Sequence, residues 1–125
     1  MRKLELIAKR IEEEKLRNEK MPIIVEGSRD IGALREMGFE GIILKVNNGQ
    51  SLEKFSSEIS SKYSEVILLF DWDSRGVYLT KRIFSLLSSM GTKCHIELWS
   101  FLKKYPIGSV EELPSYLKIL EAQAP

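Results

Sequence analysis

The sequence is short of the residues most often used to build cross-linked or metal-thiolate sites. It has one cysteine, Cys94, and one histidine, His95. A single cysteine excludes a disulfide framework and a zinc cluster. A single histidine excludes a multi-histidine metal site. Cys94 sits in an apolar stretch and reads as a small buried side chain, and His95 as a core or surface residue. No apolar run approaches the ~18 residues of a membrane span, so no membrane partner is expected. Met1, Arg2, Lys3, Leu4 and Glu5 carry no leader-like apolar core, which leaves the cytoplasm as the expected location. Net charge is only +1. No global basic field advertises a polyanion, so any nucleic-acid contact must come from a local patch. A Gly-x-Gly-x-x-Gly fingerprint after the first strand is also missing, which removes support for dinucleotide binding.

What is present suits one compact α/β domain of 125 residues, 43% of them hydrophobic. Leu4, Ile7, Ala8 and Ile11 recur at helical spacing and predict an N-terminal amphipathic helix of about four turns. Its apolar stripe either covers a sheet face or mediates self-association, so a homodimer stays open. Strands are expected at 22–26, 42–46, 65–70 and 93–99. Helices are expected at Ser28–Met37 with Ser28 as cap, after a Ser51 cap, and at about Arg75–Met90. Phe101–Tyr105, Ser109–Leu113 and 115–121 read as short helical pieces. Strands that are continuous apolar runs, alternating with helices, indicate a buried, mainly parallel sheet of four strands: an open Rossmann-like fold flanked by helices.

Three carboxylates punctuate this pattern. Glu26 closes the run Ile23, Ile24, Val25 and precedes Gly27. Asp71 and Asp73 close the run from Val66 to Phe70, and Gly76 follows. Acidic groups at the ends of hydrophobic strands are costly unless something cationic binds them. The C-terminal ends of parallel strands form the ligand crevice of such folds. Strand alternation would aim Asp71 and Asp73 to one side and Trp72 to the other, where it packs. Three hard oxygen donors suit magnesium, which keeps waters and binds substrate phosphate.

The stretches Val25–Asp30 and Leu69–Gly76, in this order and separated by one strand and two helices, resemble the two motifs of the Toprim domain. That domain is shared by topoisomerases, bacterial-type primases, OLD-family nucleases and 5S ribosomal RNA maturation nucleases. The resemblance covers about residues 20–100. It divides the chain into an N-terminal helix at 1–20, a Toprim-like domain at 21–100 and a C-terminal helical extension at 101–125. It implies Glu26 as general acid/base and, with Asp71 and Asp73, as part of a metal site for Mg2+ or Mn2+. It also implies a nucleic-acid partner, RNA or DNA, and most directly a nuclease. The alternative is a non-catalytic binding module that works with a partner protein. Neither a zinc ribbon before the domain, as primases have, nor a separate tyrosine-bearing domain, as topoisomerases have, is expected from this sequence.

Supporting residues follow from position. Arg29 and Arg75 open helices at the site and either fork a phosphate or pair with carboxylates, Arg75 with Asp71 or Asp73 and Arg29 with Asp30 or Glu26. Lys45 approaches from the second strand. Asn48 and Gly49 lie in the loop after it, where relatives place small or polar residues near substrate. Gly27 and Gly76 are the structural glycines of the motifs. Asp30 reads as a first-turn carboxylate and Tyr78 as packing. Glu111 and Glu112 supply either a further acidic group or a solvated helix start. Lys103 and Lys104, with Phe101 and Tyr105, form either a basic–aromatic rim or a plain surface loop.

Overall fold

A computed structural model describes residues 2–124; Met1 and Pro125, the outer bounds of the expected segments, lie outside the described residues. Helix α1 spans Lys3–Asn18, strand β1 Ile23–Val25, α2 Ser28–Glu36, β2 Ile43–Lys45 and α3 Leu52–Lys62. Then come β3 at Glu65–Leu68, α4 at Ser74–Ser89, β4 at Lys93–His95, α5 at Glu97–Leu102, a 3-10 turn at Val110–Glu112 and α6 at Leu113–Gln123.

The four strands form one parallel sheet in the order β2-β1-β3-β4. Its two faces carry separate cores, as strand alternation requires. Ile23, Val25, Ile67 and Leu69 face a core shared with Ile7 and Ile11 of α1, Leu34 of α2, Leu98 and Leu102 of α5, and Leu113 of α6. Ile24, Val66, Leu68 and Phe70 face Phe55 and Ile59 of α3 and Leu79, Ile83 and Leu87 of α4. Covering both faces is why the strands are uninterrupted apolar runs rather than alternating ones. The stripe on α1 covers one face of the sheet. Its end is fastened by buried Asn18, whose amide donates to Met21 O and Ile42 O at 3.0 Å each and accepts from Gly41 N at 2.9 Å.

Several local expectations are corrected. The strand expected at 93–99 stops at His95, and Glu97 starts α5. Leu98, Trp99 and Leu102 are all buried on one helical face, whereas a strand would aim Leu98 and Trp99 to opposite sides. Residues 103–105 therefore follow a helix rather than form one. Ser28 is the first residue of α2, not its cap. Gly27 stands at that position, and its N–H donates to the Asp30 carboxylate at 3.0 Å. Ser51 does cap α3, accepting from Lys54 N at 3.1 Å.

Candidate active site

Parallel strands bring their C-terminal ends to one edge. Glu26 immediately follows β1, and Asp71 and Asp73 follow the adjacent β3. Strand β3 ends at Leu68, so Asp71 and Asp73 lie beyond it and are placed by turn contacts instead of strand alternation. Asp73 caps α4, its Oδ1 accepting from Gly76 N at 2.7 Å. Asp71 Oδ1 accepts from Val110 N at 2.9 Å. Gly76 is needed for this close turn, because a Cβ there would sit 2.0 Å from Asp71 O. Trp72 packs beside the core shared with α1, donating from Nε1 to Trp99 O at 3.0 Å.

Each arginine has a partner other than those expected. Arg75 Nε donates to Glu26 Oε2 at 2.9 Å, bridging the two motifs, rather than reaching Asp71 or Asp73. Arg29 is not paired with Asp30 or Glu26. It is 85% exposed at its side chain, with Glu111 Oε1 at 3.9 Å. Long exposed side chains settle on whichever carboxylate lies in reach, and the tertiary fold decides which that is. Lys45 donates to Ser28 Oγ at 3.0 Å and so stands at the mouth of the site. Asn48 and Gly49 form an exposed turn after β2 in which Gly49 N donates to Asn47 Oδ1 at 2.8 Å. Among the described residues neither makes a hydrogen bond to the carboxylates.

The electrostatics are set first by burial of carboxylates and then by the like charges around them. Burial, with Asp30, Glu26 and Asp73 nearby, pushes the Asp71 carboxyl up to about 6 against the opposing Val110 N–H. Burial also raises Asp30, helped by Glu26 and Glu111 and opposed by the Gly27 N–H. Asp30 is thus more than a first-turn carboxylate: it is buried and shares the field of Asp71. Glu112 is structural, its Oε2 accepting from Gly108 N, Ser109 N and Ser109 Oγ at 2.9, 2.7 and 3.0 Å.

The segment at 108–112 is what sequence reasoning missed. Besides the Val110 N–H on Asp71, Gly108 O accepts from Trp72 N at 2.9 Å, so this segment laces the second motif in place. The Ser109-to-Glu112 spacing of a capping box was the available signal of a fixed turn. Tyr78 also departs from expectation. It is 55% exposed on α4 rather than packed. Cys94 is half-buried, and burial pushes its thiol up to about 11, which disfavours the reactive thiolate. His95 lies between Glu65 and Glu97, at 2.8 and 3.4 Å.

Among the described residues no three acidic, histidine or cysteine side chains gather tightly enough to hold a metal ion as they stand. Each of Glu26, Asp71 and Asp73 is turned onto a protein donor. The donor set itself consists of carboxylate oxygens, with Asp71 already in a setting that disfavours its charge, which is the chemistry a hard cation relieves. No helix among the described residues is long and apolar enough to cross a membrane.

The fold and the site define a parallel α/β domain with an acidic centre at the carboxyl edge of its sheet. The Toprim domain family model matches residues 22–99, and the chain belongs to that family. Its relatives include a UPF0292 protein of Thermoplasma volcanium, 46% identical over 100 residues that cover 79% of this chain and 84% of the relative. A UPF0292 protein of Thermococcus gammatolerans is 36% identical over 116 residues, covering 90% and 86%. A solved structure of a protein from Aquifex aeolicus superposes with a TM-score of 0.73 at 29% identity, covering 90% of this chain and 99% of that one. Family membership supports a nucleic-acid-related, metal-dependent role.

Proposed function

We propose that this chain is a magnesium-dependent nuclease that hydrolyses nucleic-acid phosphodiesters, with manganese as an alternative cation. The observation that carries this reading is the convergence of Glu26 with Asp71 and Asp73 at one sheet edge, where burial and neighbouring carboxylates hold Asp71 up at about 6. Asp71 and Asp73, with Glu26, would hold the ion. When bound, magnesium would neutralise charge developing on the phosphate oxygens. Glu26 is the proton carrier. Arg75 fixes its Oε2, and the carboxylate takes a proton from the attacking water as the new phosphorus–oxygen bond forms. The ester oxygen leaves as the old bond breaks and takes up the proton that Glu26 then gives back. Arg29, exposed beside the start of α2, and Lys45 neutralise the flanking phosphates.

The second reading is a binding module that needs a partner protein for chemistry. It draws on one observation: all three carboxylates are already engaged by protein donors. One experiment separates the two. Labelled single- and double-stranded RNA and DNA are incubated with magnesium, manganese or EDTA, alongside the Asp71→Asn/Asp73→Asn variant. Metal-dependent cleavage that the variant loses supports the nuclease. Retarded but intact nucleic acid in every lane points to the module. Neither binding nor cleavage overturns both readings.

A further inference from the structure

Three cations from two distant parts of the chain, Arg10 on one side and Lys103 and Lys104 on the other, meet one run of aromatic rings. Arg10 of α1 and Lys104 each lie 4.7 Å from the centroid of the Phe101 ring. Lys104 is also 5.6 Å from the Tyr105 ring, and Lys103 is 5.4 Å from the Trp99 ring. Cation–π contact accounts for where each group sits, but not for gathering like charges. Arg10 and Lys104 each lie 4.7 Å from the same ring centroid and so are no further apart than twice that distance, inside the ~10 Å screening length of 0.1 M salt. Among the described residues, none of the three has a carboxylate within ion-pair distance, in contrast to Arg17, Arg75 and Arg82, which all do. Arg10 also lines a groove with Glu13, Glu14, Arg17, Glu97 and Leu98, so the acidic side chains of that groove border the patch at Arg10. On the other side the patch reaches the second motif through Trp99, whose Nε1 lies 3.5 Å from Asp71 O and whose carbonyl accepts from Trp72.

We propose that Arg10, Lys103 and Lys104 form a phosphate-backbone clamp that holds a nucleic-acid strand leading to the carboxylate site. This inference rests on the nucleic-acid reading above. The rings set the cations at fixed positions in advance, which lowers the ordering cost of gripping a polyanion. The chain's near-zero net charge makes such a local cluster the means of attraction. The clamp touches backbone only, so it carries no base preference.

The test uses the full chain and fluorescence anisotropy with labelled oligouridylate and oligothymidylate across a salt series. Arg10→Gln/Lys103→Gln/Lys104→Gln is compared with Lys20→Gln/Lys54→Gln/Lys62→Gln, which removes the same charge elsewhere. The clamp variant is expected to bind about 10-fold or more weakly at low salt. Its slope of log affinity against log salt should fall by about 2, close to 0.7 for each phosphate of a single strand that is no longer neutralised. The control should change both only slightly. Lys103→Gln/Lys104→Gln, which leaves α1 untouched, should show an intermediate weakening. Equal slopes for wild type and clamp variant overturn the clamp and leave the nuclease reading standing. Polyglutamate competing as well as the oligonucleotide also overturns it, by showing a general acidic-partner surface. A wild type that binds neither oligonucleotide sinks the clamp and the reading beneath it together.

Discussion

Single atoms decide much of the site. Asp71 O lies where a Cβ on residue 76 would be, at 2.0 Å. Gly76→Ala should therefore cost about 2–3 kcal/mol in chemical denaturation, because backbone rather than a flexible side chain must move. A stability within about 0.5 kcal/mol of wild type would show that the turn relaxes freely. Glu26 makes a separable case. Glu26→Gln keeps an oxygen for Arg75 but cannot take a proton. Metal-dependent cleavage should fall by about 10²–10⁴-fold while the melting temperature holds. Undiminished cleavage would remove Glu26 from the proton path.

At the scale of elements, the seam between α1 and α5 should respond to pH. Glu14 is buried on α1, accepting from Arg17 Nη1 at 3.0 Å, and Arg17 also reaches Glu97 at 2.6 Å. Burial raises the Glu14 carboxyl, with Glu97 adding to the rise and Arg17 opposing it. A carboxyl raised by folding favours the native state most when protonated, and that benefit fades as pH rises through its folded value. Glu14→Gln should accordingly melt above wild type at pH 7.5, and the gap should close by pH 4; a gap that widens in acid would reverse the assignment. Leu102, fully buried where α5 ends, gives a plainer test: Leu102→Ala should cost about 2–5 kcal/mol. Elements also show where sequence was legible and where it was not. The runs ending at Val25 and Phe70 announced buried parallel strands because two covered faces leave no polar alternation to blur them. Parallel strands end at one edge, so Glu26, Asp71 and Asp73 could be placed together before any geometry was known. Residues 93–99 misled because Cys94, His95 and Ile96 run straight into Leu98 and Trp99, and short apolar runs carry no period. The Val110 contact had no side-chain signal, since its donor is a backbone N–H. The nearness of Asp30 to Asp71, and the pairing of Arg75 with Glu26, depend on how β1 and β3 sit side by side.

At the scale of the whole molecule, a cation relieving the carboxylate crowding should stabilise the native state. Magnesium at about 100 times its dissociation constant is expected to add about 2.7 kcal/mol, read as a rise in melting temperature. The Asp71→Asn/Asp73→Asn variant should show almost none of that rise. Equal rises in both proteins would place the ion elsewhere. The lacing of the second motif by the segment at 108–112 has a further consequence, in the time order of synthesis. Val110 is made 39 residues after Asp71. At ~5–20 residues per second, about 2–8 s pass between them on the ribosome. During that interval Glu26, Asp71 and Asp73 all exist, yet Asp71 lacks its amide donor and Trp72 its carbonyl acceptor. A nascent chain therefore carries its acids before it carries the clasp that sets them, and the acidic centre is fixed only late in the synthesis of each molecule.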